Sequence, residues 1–256
     1  MTLADESHDV NRNDFGQPVG AALPDWQPAR HPGRIALQGH RVRLEPLALE
    51  RHGASLYAAF LAPGEGAHDA PEARWTYSGG MPFTDAEQYR AWLGARSESH
   101  DPLFYAIVVT TEEQALGRAL GVASYLNIEP EHGSIEVGHI HFTPALRRTP
   151  AATEAMLLMM RYAFELGYRR YEWKCDALNA ASRRAAERLG FRFEGIFRQH
   201  RVTNGHNRDT AWFSLLDSEW PAAEARLERW LAPENFDAEG KQRCSLSELM
   251  AELMSG

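Results

Sequence analysis

Three titratable side chains fall close together on one stretch with the character of a β-strand: Glu136, His139 and His141, with Ile135, Val137, Ile140 and Phe142 as the interleaved β-formers. A carboxylate, or an imidazole with its ordinary pKa of about 6.5, can take a proton from an attacking nucleophile. Strict alternation places His139 and His141 on one strand face and Glu136 on the other, and a bulge would change that facing. The chain then turns through Thr143-Pro144 and the basic pair Arg147-Arg148. A helix should follow, with Thr149 as N-cap, Pro150 at its first position, and Ala151 and Ala152 behind it. Unpaired amides, the positive end of a helix and two arginines form a cradle suited to a phosphate. An ordinary capped connection from strand to helix is the plain alternative, and local pattern alone leaves both open.

The rest of the composition narrows the setting. A chain of 256 residues, 44% apolar and 10% aromatic, suits one soluble globular domain with decorations. A formal charge of −8 opposes a nucleic-acid partner. Cys175 and Cys244 fit neither a disulfide framework nor a CxxC metal pair, which favours a reducing cytoplasm. No apolar run approaches the roughly 20 residues of a membrane span, and the first residues lack the charged and apolar regions of a signal peptide. Among eleven histidines, only His139 and His141 are spaced to suggest a metal. No HExxH or similar array completes a set, so no metal is expected.

These residues need elements to hold them. Residues 1–34 read as an irregular arm anchored by Phe15, Leu23 and Trp26. A strand is predicted over 41–47, a helix over 48–62, and then a long loop broken by glycine and proline. Trp75, Thr76 and Tyr77 argue that this loop is ordered and functional. A helix capped by Thr84 or Asp85 follows, then strands over 104–110 and 120–128, with Glu112-Glu113-Gln114 as their turn. The strand bearing Glu136 is third in this meander. Its helix, 151–166, is apolar on nearly every side and should be buried against the sheet, ending at Gly167. A short strand over 171–176, a helix capped by Asn179, and a hairpin of strands 191–202 and 210–216 turning at Asn204-Gly205 complete the core. Ser218 caps a helical tail. The expected fold is α/β (α+β), with a mixed, mostly antiparallel sheet flanked by helices. Its expected divisions are an arm over 1–34, a domain over 35–217 and a helical extension over 218–256.

That element order, with the cradle between the third meander strand and its helix, resembles the GNAT superfamily of acyl-CoA-dependent N-acetyltransferases, and most closely its RimJ/RimL-type branch of ribosomal-protein alanine acetyltransferases. The resemblance rests on Ile135-Glu136-Val137-Gly138, on Arg147–Ala155, and on Asn179–Ser182 with Leu189-Gly190-Phe191, and covers about residues 36–217. It implies acetyl-CoA as acyl donor and a central pair of strands that splay to admit the pantetheine arm beside the backbone of Ile140, His141, Phe142 and Thr143. The family's phosphate loop falls on Arg147, Arg148, Thr149, Pro150, Ala151 and Ala152. Pro150 replaces a glycine there and removes one amide donor, leaving Arg147 and Arg148 to compensate. Asn179 would hydrogen-bond the cofactor, or serve only as an N-cap.

For catalysis, the resemblance favours Glu136 as base, with His141 and then His139 behind it; a purely structural carboxylate is the alternative. Many relatives carry a tyrosine acid seven residues after the asparagine, a position that is Ala186 here. Ser182 is the natural substitute, directly or through a water. Trp75, Tyr77 and Phe83 on the loop, and His200, Arg201, His206 and Arg208 on the hairpin, should flank the acceptor. Trp75 and Tyr77 would wall a side chain or cation, or simply anchor the loop; Arg201 and Arg208 would attract an anionic group, or simply be solvated. The acceptor is expected to be a primary amine on a protein N-terminus or a small molecule. The arm and the extension would cover the acceptor site or make a homodimer contact. A non-catalytic acyl-CoA-binding or regulatory module is the competing reading, resting on Pro150 and the missing tyrosine.

Overall fold

The computed structural model describes residues 11–66, 69–110 and 117–254. The expected turn at Glu112-Glu113-Gln114 lies outside the described residues. Ten strands and six α-helices follow one another in the order β1 (Asn11–Arg12), β2 (Pro18–Val19), β3 (Leu37–Gln38), β4 (Val42–Pro46), α1 (Leu49–Leu61), α2 (Ala86–Glu98), β5 (Leu103–Val109), β6 (Ala119–Glu129), β7 (Ser134–Phe142), α3 (Pro150–Glu165), β8 (Arg170–Asp176), α4 (Ala180–Arg188), β9 (Arg192–Thr203), β10 (His206–Leu216), α5 (Trp220–Leu231) and α6 (Leu246–Met254). β1 and β2 form a small hairpin in the arm, and the other eight strands form one sheet ordered β3-β4-β5-β6-β7-β8-β10-β9. Every neighbouring pair is antiparallel except β7 with β8, which run parallel because α3 carries the chain back between them. Among the described residues, no helix is long and apolar enough to cross a membrane.

Period-two alternation assigns the two faces of the sheet. On β5, Leu103, Tyr105, Ile107 and Val109 join the core under α3, α5 and α6, while Phe104, Ala106 and Val108 join the core under α1 and α2. The uniformly apolar α3 is buried over almost its whole length, from Ala151 to Met160, because sheet and C-terminal helices cover it on different sides. Asn204 and Gly205 both take positive φ, 51° and 75°, in the turn between β9 and β10.

Three sequence expectations are corrected. Phe15 and Leu23 are 88% and 50% exposed, so they do not anchor the arm. Trp26 does, donating from Nε1 to the Glu131 carbonyl at 3.3 Å, with its ring where a Cβ on Gly133 would lie. Glu219, not Ser218, occupies the N-cap of α5. The long loop is partly helical, with a 3₁₀ segment over Glu72–Ser78.

The start of α3 is tied to the opposite edge of the sheet by a single carboxylate. Backbone amides of His40, Arg41 and Val42 reach Glu154 at 3.2, 2.6 and 2.9 Å, and Glu154 is buried. Removing that acceptor strands three donors, at a cost of about 2–4 kcal/mol. Glu154→Ala should lower the calorimetric melting temperature by roughly 5–15 °C for a chain of this size. A shift within experimental error would show that water replaces the carboxylate freely.

Candidate active site

Pairing between β7 and β8 covers only Ser134–Val137 against Arg170–Trp173. Beyond Val137 the strands part. The cause is local: β7 bulges against β6 between the Ser124–Gly138 and Val122–His141 pairs, and His139 adopts φ of 48°. Residues 138–142 keep β6 on one side and lose their strand partner on the other. A cleft of about 990 Å³ opens there, floored by β7 and β8 and walled by the 3₁₀ segment, α2, the start of α4 and the β9–β10 hairpin. A second cavity of about 920 Å³ lies beside it, between the loop and the hairpin tip, and shares Tyr77, Asp176 and Arg208. Among the described residues, neither the arm nor the C-terminal helices line the main cleft.

The bulge brings Glu136, His139 and His141 to one cleft despite their alternation. Glu136 is buried at the fork. Its Oε2 accepts from Asn127 Nδ2 at 2.6 Å and pairs with Lys174 Nζ at 2.9 Å. Oε1 has no protein partner among the described residues and points to Gly138, 3.7 Å from where a Cβ would stand. Burial raises the Glu136 pKa above its ordinary value, against the opposing charge of Lys174 and the Asn127 hydrogen bond. Lys174 also pairs with Glu172 at 2.8 Å and lies 3.8 Å from the Trp212 ring centroid.

His141 stacks on Trp75 with centroids 3.9 Å apart. Burial, then the charges of His139 and Arg96, pull its pKa from 6.5 down to about 3. The pKa advantage expected of a histidine base is therefore absent: a neutral ring of such low basicity accepts protons poorly. His139 sits with Nδ1 2.9 Å from Ser124 Oγ, its pKa also lowered, first by desolvation and then by Arg96. Trp75 is 4% exposed and locked edge-on among Phe60, Phe83 and Trp92. It anchors the loop and offers the cleft little of its surface, whereas Tyr77 is 41% exposed at the rim and Arg201 is exposed on the hairpin.

At the cradle, Thr149 Oγ1 accepts from the Ala152 amide at 3.2 Å, which withdraws that donor from the set expected for phosphate. Amides of Arg148, Thr149 and Ala151 have no protein acceptor among the described residues. Arg148 is held at φ of 60°, a turn geometry that aims successive amides into one concavity. Arg147 is not free, since its Nη2 lies 2.5 Å from Asp69 Oδ2. Thr143 is likewise committed, with its amide and Oγ1 both donating to the Leu120 carbonyl at 3.2 and 2.7 Å. Ile140 and Phe142 are half-buried on the open edge. Asn179 caps α4 with Oδ1 accepting from the Ser182 amide at 3.0 Å, and its two side-chain N–H donors have no protein acceptor among the described residues. Ser182 Oγ accepts from Trp173 Nε1 at 3.0 Å and lines the cleft.

Lys174, Asn127 and Arg96 escaped the sequence reading. A signal existed for Lys174: Glu172 and Lys174 alternate with buried Tyr171, Trp173 and Cys175 on a central strand, a pattern that puts charge against a cavity. The neutral state of His141 is testable. Unfolded, its imidazole titrates near 6.5, and folded near 3, so between those values the unfolded chain holds the extra proton. The ring's contribution to stability is complete above about pH 6.5 and drains away as the pH falls toward about 3. Urea midpoints measured from about pH 7 to about pH 5 should therefore fall less for His141→Phe than for the wild type. Identical slopes would contradict this assignment.

Comparison with known proteins agrees with this geometry. The acetyltransferase (GNAT) domain matches residues 41–192, which contain the whole of β7, the cradle, β8 and α4. A GCN5-related N-acetyltransferase from Brucella melitensis is 47% identical, with a TM-score of 0.82 over 90% of this chain and 100% of that one. A probable acetyltransferase of the GNAT family from Chromobacterium violaceum is 41% identical, with a TM-score of 0.70 over 80% and 98% of the two chains. An acetyltransferase from Salmonella typhimurium shares the fold at 19% identity, with a TM-score of 0.57 over 71% of this chain and 99% of that one. Among curated proteins none matches. A matched domain that coincides with the parted strands and their cradle leaves one conclusion: this chain belongs to the GNAT family of acetyltransferases.

Proposed function

We propose that the protein is an acetyl-CoA-dependent N-acetyltransferase of the RimJ/RimL-type branch, working in the cytoplasm on a primary amine by direct attack. The observation that carries this reading is the opening between β7 and β8 with Glu136 Oε1 at its fork. Coenzyme A fits the residues present. Open-edge backbone of Ile140, His141 and Phe142 suits the pantetheine amides; the free amides of Arg148, Thr149 and Ala151, with the exposed Arg148 side chain, suit the pyrophosphate; and Asn179 Nδ2 can donate across the gap. With Arg147 held by Asp69, Arg148 is the nearer source of compensating charge.

Acetyl-CoA would supply a thioester carbonyl. Backbone N–H groups along the open edge of β7 would polarise that carbonyl for attack by the amine, with the coenzyme A thiolate as leaving group. Glu136 Oε1 takes the proton shed by the amine, and Ser182, or a water it orders, returns one to sulfur. Lys174 and Asn127 hold the Glu136 carboxylate from its other oxygen, which keeps Oε1 aimed at the fork. Tyr77 and Arg201 border the acceptor. The Salmonella neighbour modifies the N-terminal serine of a ribosomal protein, which supports testing protein N-termini beside small amines. The catalytic domain is taken to span 35–217, with the 1–34 arm and the 218–256 extension available for a homodimer contact.

Thioester consumption measured against a panel of small amines and N-terminal peptides tests the activity; donor binding without turnover on any of them would favour a non-catalytic acyl-CoA module. Glu136→Gln should lower kcat by about 10²–10⁴-fold while leaving acetyl-CoA affinity unchanged. Because the Glu136 pKa is raised, the acid limb of kcat/KM should lie above the ordinary carboxylate value of 4.5 and vanish in the variant. Arg148→Ala should weaken acetyl-CoA binding by about 1–3 kcal/mol in a calorimetric titration. Equal affinities would remove Arg148 from the pyrophosphate seat.

A further inference from the structure

Charge in the floor of the cleft is paired: Lys174 answers Glu136 and Glu172, and Glu172 is also held by Arg170 from outside the cleft. The arginines of its walls are not. Arg96, Arg201 and Arg208 line the cleft, and none pairs with a carboxylate among the described residues. Arg201 and Arg208 sit directly opposite each other on β9 and β10, an unfavourable like-charge pair, and Arg208 Nε is buried with no acceptor.

Arg96 is the best placed of the three. It stands in the last turn of α2, where its Nη1 donates to the Trp92 carbonyl at 3.1 Å. Its guanidinium carbon lies 4.3 Å from the Trp92 ring centroid and 5.6 Å from that of Phe104. Those rings lead to both ends of the β7 bulge. Trp92 meets Trp75, which stacks on His141, while Phe104 meets His139 with centroids 5.1 Å apart. Arg96 therefore hangs over the reacting strand, and its positive charge reaches both imidazoles. A guanidinium partly stripped of water and given aromatic neighbours but no counterion is an unfavourable arrangement until an anion arrives.

We propose that Arg96 determines acceptor specificity by binding a carboxylate carried on the same molecule as the reacting amine, so that the acceptor is of amino-acid type. This rests on the N-acetyltransferase reading and deepens it. One planar fork matches one carboxylate. Arg96 is the one arginine that α2 brings to the cleft, Arg201 and Arg208 standing on the β9–β10 hairpin, and a single guanidinium suits a carboxylate better than a phosphate dianion. The carboxylate belongs either to a free amino acid or to an acidic side chain at a peptide N-terminus. Both present the same chemistry in a cleft of this size.

Matched acceptors decide the matter: free amino acids against their amides, and peptides beginning with Asp or Glu against those beginning with Asn or Gln. Wild-type enzyme should prefer the carboxylate member in one of the two sets, and the set identifies the source. Arg96→Gln should lose about 30-fold or more in kcat/KM on that member and less than about threefold on its amide, with Arg96→Lys between. Absence of a wild-type preference, or equal losses on both members, overturns the proposal. If no amine is acetylated at all, the activity reading fails by itself. Calorimetric binding of the free amino acids and acidic peptides in the presence of coenzyme A then judges Arg96 separately. Binding abolished by Arg96→Gln supports the anion site; binding retained, or none by the wild type, refutes it. Circular dichroism and acetyl-CoA affinity establish that the variants fold. Should Arg96→Gln fail to fold, the selectivity of Arg96→Lys decides: a reduced preference supports the site, an unchanged one refutes it.

Discussion

The parting of β7 from β8 is the constraint on which the rest of the structure depends. A central parallel pair would normally satisfy its backbone along its whole length, since unpaired buried amides are costly. Here the ladder stops at Val137 and Trp173 because the Gly138–His139 bulge turns β7 away. Glycine at position 138 leaves the room this needs: a Cβ there would stand 2.9 Å from the Leu126 side chain.

Electrostatics at the fork follow from that opening. Glu136 would be an unfavourable buried charge by itself. Lys174 and Asn127 both address Oε2, leaving Oε1 free on the side where the strands separate. Burial and pairing pull the carboxyl pKa in opposite directions, and burial wins. The neighbouring imidazoles receive no such compensation: desolvation and the Arg96 charge lower both, and His141, at about 3, is left a weaker base than the carboxylate. Unpaired positive charge therefore stands at two separate places, the Arg96 guanidinium on α2 and the start of α3 with its amides.

Most of the fold was legible in local pattern. The alternation over 41–47, the dense apolar runs of β5 and β6, the all-round apolar character of α3, the Thr149-Pro150 and Asn179 helix starts and the Asn204-Gly205 turn each report a short-range preference that the tertiary structure respects. The arm differs from the expectation because Phe15, in the turn between β1 and β2, and Leu23, in the segment after β2, both stay exposed, and hydrophobicity alone cannot say which apolar residue finds a pocket. At the site, residue types were readable where a backbone motif accompanied them. Lys174, Asn127 and Arg96 come from three different elements and carry no shared spacing, so no local signal ties them to Glu136.

Sequence by itself determined the element order, the position of the helix-starting proline and the chemistry available on β7, because these depend on neighbours along the chain. Only the tertiary structure decided which of those groups is usable. Facing on β7 is changed by the Gly138–His139 bulge in its pairing with β6, and the basicity of His141 is lowered by burial, by His139 and by Arg96 from α2, with Trp75 stacked on its ring. Arg147 is diverted by Asp69, and Ala152 by Thr149. Protonation and hydrogen-bond availability depend on burial and on through-space partners, and those exist only once the sheet has assembled.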